Sequence, residues 1–154
     1  MSSTCVKSLN EKVSRSIPKR KLREVFFQLL FCHHFINEKN EEELSVMLME
    51  KLKISKKNMN LAFDDFNNYI LKKEEIDNII SKQSTEYVFD RISFSELNIL
   101  RLAIYEMLYQ DSIPTKVSIA EAIRLCRKFS SPSSSHFVNA FLDAFSKEEK
   151  TTFV

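Results

Sequence analysis

Apolar positions recur at helical spacing over most of the chain. Leu22, Val25, Phe26, Leu29, Leu30 and His33 follow the i, i+3, i+4 template and predict a helix opening near Pro18. Proline suits that position, because its missing N–H would have no intrahelical partner there. "NEKNEEE" is a polar connector into a second helix, Leu44 to Leu52. Met59, Ala62, Phe63, Phe66, Ile70, Ile76, Ile79 and Ile80 predict the buried stripe of a long third helix, with "KKEE" at 72–75 as a solvated stretch inside it. Ser93 and Glu96 stand at capping-box spacing. After them Leu97, Ile99, Leu100, Leu102, Ala103, Ile104, Met107 and Leu108 cover most of a helix circumference, the pattern of a central, enclosed helix. The proline of "DSIP" ends it. Another helix runs from about Lys116 to Phe129, with Ser118 and Glu121 again at capping-box spacing. "SSPSSS" at 130–135 reads as a loop, and the last helix starts near Ser134 with Phe137, Val138, Phe141, Leu142 and Phe145 on its apolar side. Residues 1–16 show no strong period and read as a mobile tail, and 148–154 as a C-terminal tail. The fold expected is all-α: six or seven helices in one domain over 17–147, with packed halves of about 17–84 and 85–147.

Composition narrows the function. The chain has no glycine. Phosphate-cradling loops need glycine for close backbone approach, and the strained nucleophile turn of a serine hydrolase needs it too. Both classes drop out, and glycine-dependent hairpin turns become rare. At 154 residues and 44% hydrophobic content the chain supports a real core in one domain. Cys5, Cys32 and Cys126 are odd in number and far apart, which suits a reducing compartment and a cytoplasmic location. The N-terminal stretch has no apolar region of a signal peptide, and no run of about 18 apolar residues marks a membrane span.

Several clusters invite chemistry. In "FCHHF", Cys32, His33 and His34 are adjacent on a helix and point in different directions, so no metal site is expected. The carboxylates at 41–43, 64–65 and 74–75 read as solvated helix faces. The serines near His136 have no acid to orient the imidazole, so no catalytic residue and no cofactor is expected. "PKRKLREVFFQ" is different. Lys19, Arg20, Lys21 and Arg23 fall in the first two turns of a helix, the positive end of its dipole. The net charge is only +2, so affinity for a polyanion has to come from such a local patch. Cations hold phosphates and aromatic faces stack on bases; Phe26 belongs to the core stripe, leaving Phe27 and Phe31 to face outward. That combination suits single-stranded RNA.

Three stretches together resemble the NusB family of bacterial transcription antitermination factors. "KRKLREVFFQLLF" is similar to its arginine-rich motif, "FDRISFSELNILRLAIYEMLY" to its central helix, and "IPTKVSIAEAIRLCRKFSSPSSSHFVNAFLDAF" to its C-terminal signature. The resemblance covers residues 17–146. It implies an all-α fold of two helical subdomains and binding, without catalysis, to the boxA element of nascent ribosomal RNA leaders. It also implies a heterodimer with NusE, a protein of the small ribosomal subunit, acting with NusA, NusG and RNA polymerase against termination. By the same resemblance Lys19, Arg20, Lys21 and Arg23 would contact phosphates. Phe31 stands where the family often has tyrosine, and Phe137 at an aromatic position near the RNA surface. Glu96, Arg101, Tyr105 and Glu106 lie in the segment associated with NusE.

The chain departs from the family pattern at three places, one of them the last loop. Ser130 and Ser133 replace the usual glycine and aspartate, Asn139-Ala140 replaces Asn-Gly, and Ile119-Ala120-Glu121-Ala122 replaces Ile-Asn-Glu-Ala. The glycine replacements point to a differently shaped loop on the same fold. Two other readings stand beside RNA binding: a helical protein–protein adaptor with a merely solvated basic patch, and a NusB-like domain tied to RNA methyltransferase function. A homodimer that covers the basic patch is an open alternative for the free protein.

Overall fold

The structure is a computed structural model describing residues 19–33, 40–84 and 90–152. Among these residues it is all-helical: α1 (Lys19–Cys32), α2 (Glu41–Leu52), α3 (Lys56–Ile70), α4 (Lys73–Gln83), α5 (Phe94–Tyr109), α6 (Thr115–Phe129) and α7 (Pro132–Thr152). The expected N-terminal tail, 1–16, lies outside the described residues. The chain forms two compact units that divide between Phe66 and Asn67, inside α3. The sequence pattern placed the division near residue 84; the earlier position reflects the ties of α4 to α5 described below.

In the first unit α1 buries a broad arc: Val25, Phe26, Phe27, Leu29 and Leu30. Phe26 meets Phe66 of α3 edge-on, with ring centroids 5.9 Å apart, and His33 meets the same ring at 5.4 Å. α2 begins at Glu41, three residues before the apolar pattern starts, because Glu41, Glu42 and Glu43 favour the positive end of its dipole. Leu48 is its buried residue. α2 stops with Lys53 in the left-handed region (φ 53°), a position usually given to glycine, which this chain lacks.

The expected long third helix is two helices. It breaks at Leu71-Lys72, where the Lys72 N–H bonds the Tyr69 carbonyl at 2.8 Å in a tight turn. Tyr69, Ile76 and Ile80 are all fully enclosed. The short break keeps apolar positions in phase, so periodicity could not reveal it. The signal was "KKEE": Glu74 and Glu75 lie in the first turn of α4, where a helix start favours acids.

The second unit is built around α5. Ile99, Leu100, Leu102, Ala103, Ile104 and Tyr105 are all buried, as a helix apolar on nearly every side requires. The capping box forms as its spacing predicts: Ser93 Oγ accepts the Glu96 N–H at 3.2 Å, and Glu96 Oε2 accepts the Ser93 N–H at 3.1 Å. The Ser118/Glu121 spacing is not a capping box. α6 starts after Pro114, so Ser118 lies inside the helix, where its hydroxyl donates to the Glu106 carboxylate at 3.0 Å. Glu121 pairs with Arg124 at 2.8 Å. α7 starts at Pro132, two residues before the expected start, with Ser131 Oγ accepting the Ser134 N–H at 3.3 Å. Val138, Phe141, Leu142 and Phe145 form its buried side, and helix continues to Thr152 through the expected C-terminal tail.

Arg101 fastens α5 to α4. Its Nε and Nη2 donate to the two carboxylate oxygens of Asp77 at 2.8 and 3.2 Å, and Nη1 donates to Asn98 Oδ1 at 3.0 Å. Such two-point pairing fixes geometry as well as charge.

Two substitutions test these features by thermal denaturation. Ser93→Ala removes the cap, and it should cost about 1 kcal/mol and lower the midpoint by roughly 3 °C. Asp77→Ala leaves a mostly buried guanidinium without its carboxylate and should cost about 2 kcal/mol. An unchanged midpoint in the second variant would mean that the pair holds nothing in place.

Candidate nucleic-acid and partner interface

α1 decides where its cations stand. Lys19 and Arg20 are exposed at the start of the helix, and Lys21 is half-buried with its Nζ donating to the Lys53 carbonyl at 3.4 Å. Arg23 differs from the expectation of a surface phosphate contact: it is 8% exposed. Phe27, expected to face outward, is 2% exposed. The two corrections share one cause. Arg23 and Phe27 are one turn apart, on the same side of α1, and the buried arc is wide enough to take in that side. Phe31 is at the edge of the arc, 36% exposed, with its ring 6.2 Å from that of Phe27. It is the exposed aromatic of α1. No acid stands in the first turn of α1.

Phe137 lies in the second unit, half-buried on α7 with its ring 6.0 Å from Phe141. Beside it the serines of the last loop bond among themselves. Ser130 Oγ donates to Ser134 Oγ at 2.9 Å, and Ser134 donates to Glu96 Oε1 at 2.5 Å. The replacement of the family's glycine and aspartate by Ser130 and Ser133 thus leaves a hydroxyl-rich loop anchored to the start of α5.

The four residues that the resemblance links to a protein partner are held inside the unit. Glu96 closes the capping box and receives Ser134. Arg101 holds Asp77 and is 14% exposed. Tyr105 is 4% exposed and meets Tyr69 edge-on at 5.7 Å; Glu106 is 6% exposed and accepts from Ser118. A half-buried neighbour on the same helix is Tyr109, whose hydroxyl donates to Glu75 at 2.6 Å and whose ring lies 5.2 Å from Lys72 Nζ. Burial and the Glu75 carboxylate push Tyr109 up to about 12, so it stays a donor at neutral pH. Its signal in the sequence was the register Tyr105–Tyr109, one turn apart on one side of α5.

The remaining candidates offer little reactivity. Burial pushes the Cys126 thiol up to about 11 and raises that of Cys32. A thiol so shifted is a poor nucleophile near neutral pH. No group of three His, Cys, Asp or Glu converges to hold a metal among the described residues, and His34 lies outside them. No described helix is long and apolar enough to cross a membrane.

Comparison with known proteins agrees with this architecture. A profile of the NusB family matches residues 20–147. The chain is 34% identical over 135 residues to the transcription antitermination protein NusB of Chloroherpeton thalassium, covering 88% of this chain and 64% of that protein. With the protein of the same name from Fervidobacterium nodosum it shares 37% identity over 134 residues, covering 84% and 91%. These relatives are named as antitermination proteins, not as enzymes. Among solved structures, T. maritima NusB superposes with a TM-score of 0.69 at 32% identity, covering 86% of this chain and 92% of that one. A structure described as antitermination factors NusB and NusE in complex with double-stranded RNA superposes at 0.70 with 25% identity, covering 84% and 96%. With the profile spanning residues 20–147 and the helical fold shared over 86% of the chain, the chain belongs to the NusB family.

Proposed function

We propose that this protein binds boxA-type single-stranded RNA of nascent ribosomal RNA leaders together with NusE, and helps RNA polymerase resist termination. The observation that carries the reading is the start of α1, where exposed Lys19 and Arg20 stand on a helix anchored by the enclosed side chains Val25, Phe26, Leu29 and Leu30. Lys19, Arg20 and Lys21 supply phosphate contacts, and Phe31 supplies a stacking face. Arg23 acts from its buried place, setting the path of the helix start. Phe137 is assigned to the RNA side of the second unit. The similar structure described as NusB and NusE in complex with double-stranded RNA supports NusE and RNA as classes of partner, and the single-stranded preference rests on the resemblance and on the cation–aromatic pairing of α1. NusE is assigned to α5, where the partly exposed Glu96 and Arg101 lie on different sides of the helix, one toward α7 and one toward α4, and Tyr105 and Glu106 are buried. NusA, NusG and RNA polymerase complete the proposed assembly in the cytoplasm.

The test is fluorescence anisotropy with a short boxA-like RNA, with and without NusE, over a salt series. Replacing Lys19 and Arg20 by Ala should weaken binding and flatten the dependence of log K on log salt by about 1.4, at roughly 0.7 per phosphate. A duplex of the same sequence should compete poorly, because its base edges are paired. Absence of RNA binding even with NusE present would reject this function. NusE binding indifferent to RNA and to these cations would favour the protein-adaptor reading.

A further inference from the structure

The turn between α2 and α3 carries "KLKISKK", residues 51–57, and Lys51, Lys53, Lys56 and Lys57 in it are all exposed. The Lys21 to Lys53 contact, 3.4 Å across 32 positions of sequence, brings the run beside the cationic start of α1. Two separate lysine-rich segments of the first unit therefore make one positive surface.

The turn is built to hold its shape. Its left-handed residue, Lys53, returns its N–H to the Met49 carbonyl, as does Ile54 at 3.1 Å. Ile54 is buried and pins the turn from below. Ser55 Oγ receives the Asn58 N–H at 3.3 Å and the Asn58 side-chain amide at 2.8 Å, while the Ser55 carbonyl accepts the Met59 N–H at 3.0 Å. The lysines thus project from fixed backbone, not from a slack loop.

Their charge runs against local stability. The first turns of α2 and α4 hold Glu41 to Glu43 and Glu74 to Glu75, as the helix dipole favours. The first turns of α1 and α3 hold no acid; they carry Lys19, Arg20 and Lys21 in one and Lys56 and Lys57 in the other. The Lys21–Lys53 contact ties the start of α1 to the turn that leads into α3, so these two cationic helix starts belong to one surface, while the start of α6 carries the single cation Lys116. Like charges gathered at one place, each at an unfavourable helix end, are offset by a bound polyanion.

We propose that the α2–α3 turn is a second phosphate-binding element, continuous with the α1 cluster, in which Lys53, Lys56 and Lys57 hold the backbone of the same RNA strand where it runs beyond boxA. This rests on the RNA-binding function proposed above. The element reads no bases; it lengthens the footprint and steepens the salt dependence.

The test compares two RNAs, boxA alone and boxA extended by about ten nucleotides, a length within the span of single-strand binding surfaces. Both are titrated with the NusE-bound protein across salt. The combined variant Lys53→Asn, Lys56→Gln, Lys57→Gln removes three charges, and asparagine tolerates the left-handed position. It should bind boxA alone like the unchanged protein. On the extended RNA it should lose about tenfold in affinity and about 2 in salt slope. The charge-preserving variant Lys56→Arg, Lys57→Arg should keep both. Arg20→Ala should weaken both RNAs. Unchanged binding of the extended RNA by the triple variant, with Arg20→Ala still impaired, overturns the second element and leaves the RNA reading standing. Equal weakening on both RNAs overturns its placement beyond boxA. Failure of the unchanged protein to bind either RNA overturns the function and this inference together.

Discussion

A helix apolar on nearly every side has to be enclosed, and the second unit is organised by that demand on α5. Enclosure strips water from the few polar groups α5 carries, and each needs a partner inside the protein. The partners come from three different helices. Arg101 takes Asp77 of α4, Glu106 takes Ser118 of α6, and Glu96 takes Ser134 of α7. Apolar burial is non-directional and would allow α5 to slide or turn among its neighbours. The three polar ties remove that freedom. The segment that the family resemblance links to a protein partner is thus the same segment that fixes the unit's internal geometry.

The first unit solves a different problem, displaying charge on a rigid support. α1 devotes its C-terminal half to the core and its first turn to cations. The division is not clean, because the buried arc takes in Arg23 and Phe27. The exposed set is therefore narrower than the motif suggests: Lys19, Arg20, half-buried Lys21 and the edge of Phe31. The position of such a set depends on where the helix start is held, and the Lys53 carbonyl bound to Lys21 is part of that hold.

What was legible in the sequence was local. The capping box at Ser93 and Glu96 formed as its spacing predicts, because both partners lie within one turn and need no other element. The all-α class, the enclosure of α5 and the apolar side of α7 were equally readable, since period and glycine content act along the chain itself. The same spacing at Ser118 and Glu121 misled, because Pro114 starts that helix one turn earlier and the serine faces a buried glutamate. The break after Ile70 was hidden because it keeps the apolar stripe in phase.

The sequence by itself determined that the chain is helical, where most helices lie, that no glycine-dependent phosphate loop exists, and that positive charge gathers at residues 19–23. It determined these because helix periodicity, capping and the dipole are short-range. Only the tertiary structure decided that Arg23 and Phe27 go inside, that Asp77 holds Arg101 across 24 positions, and that Lys53 stands beside Lys21 across 32. Those outcomes depend on which helix sides meet, and side-chain partners far apart in sequence leave no period to read.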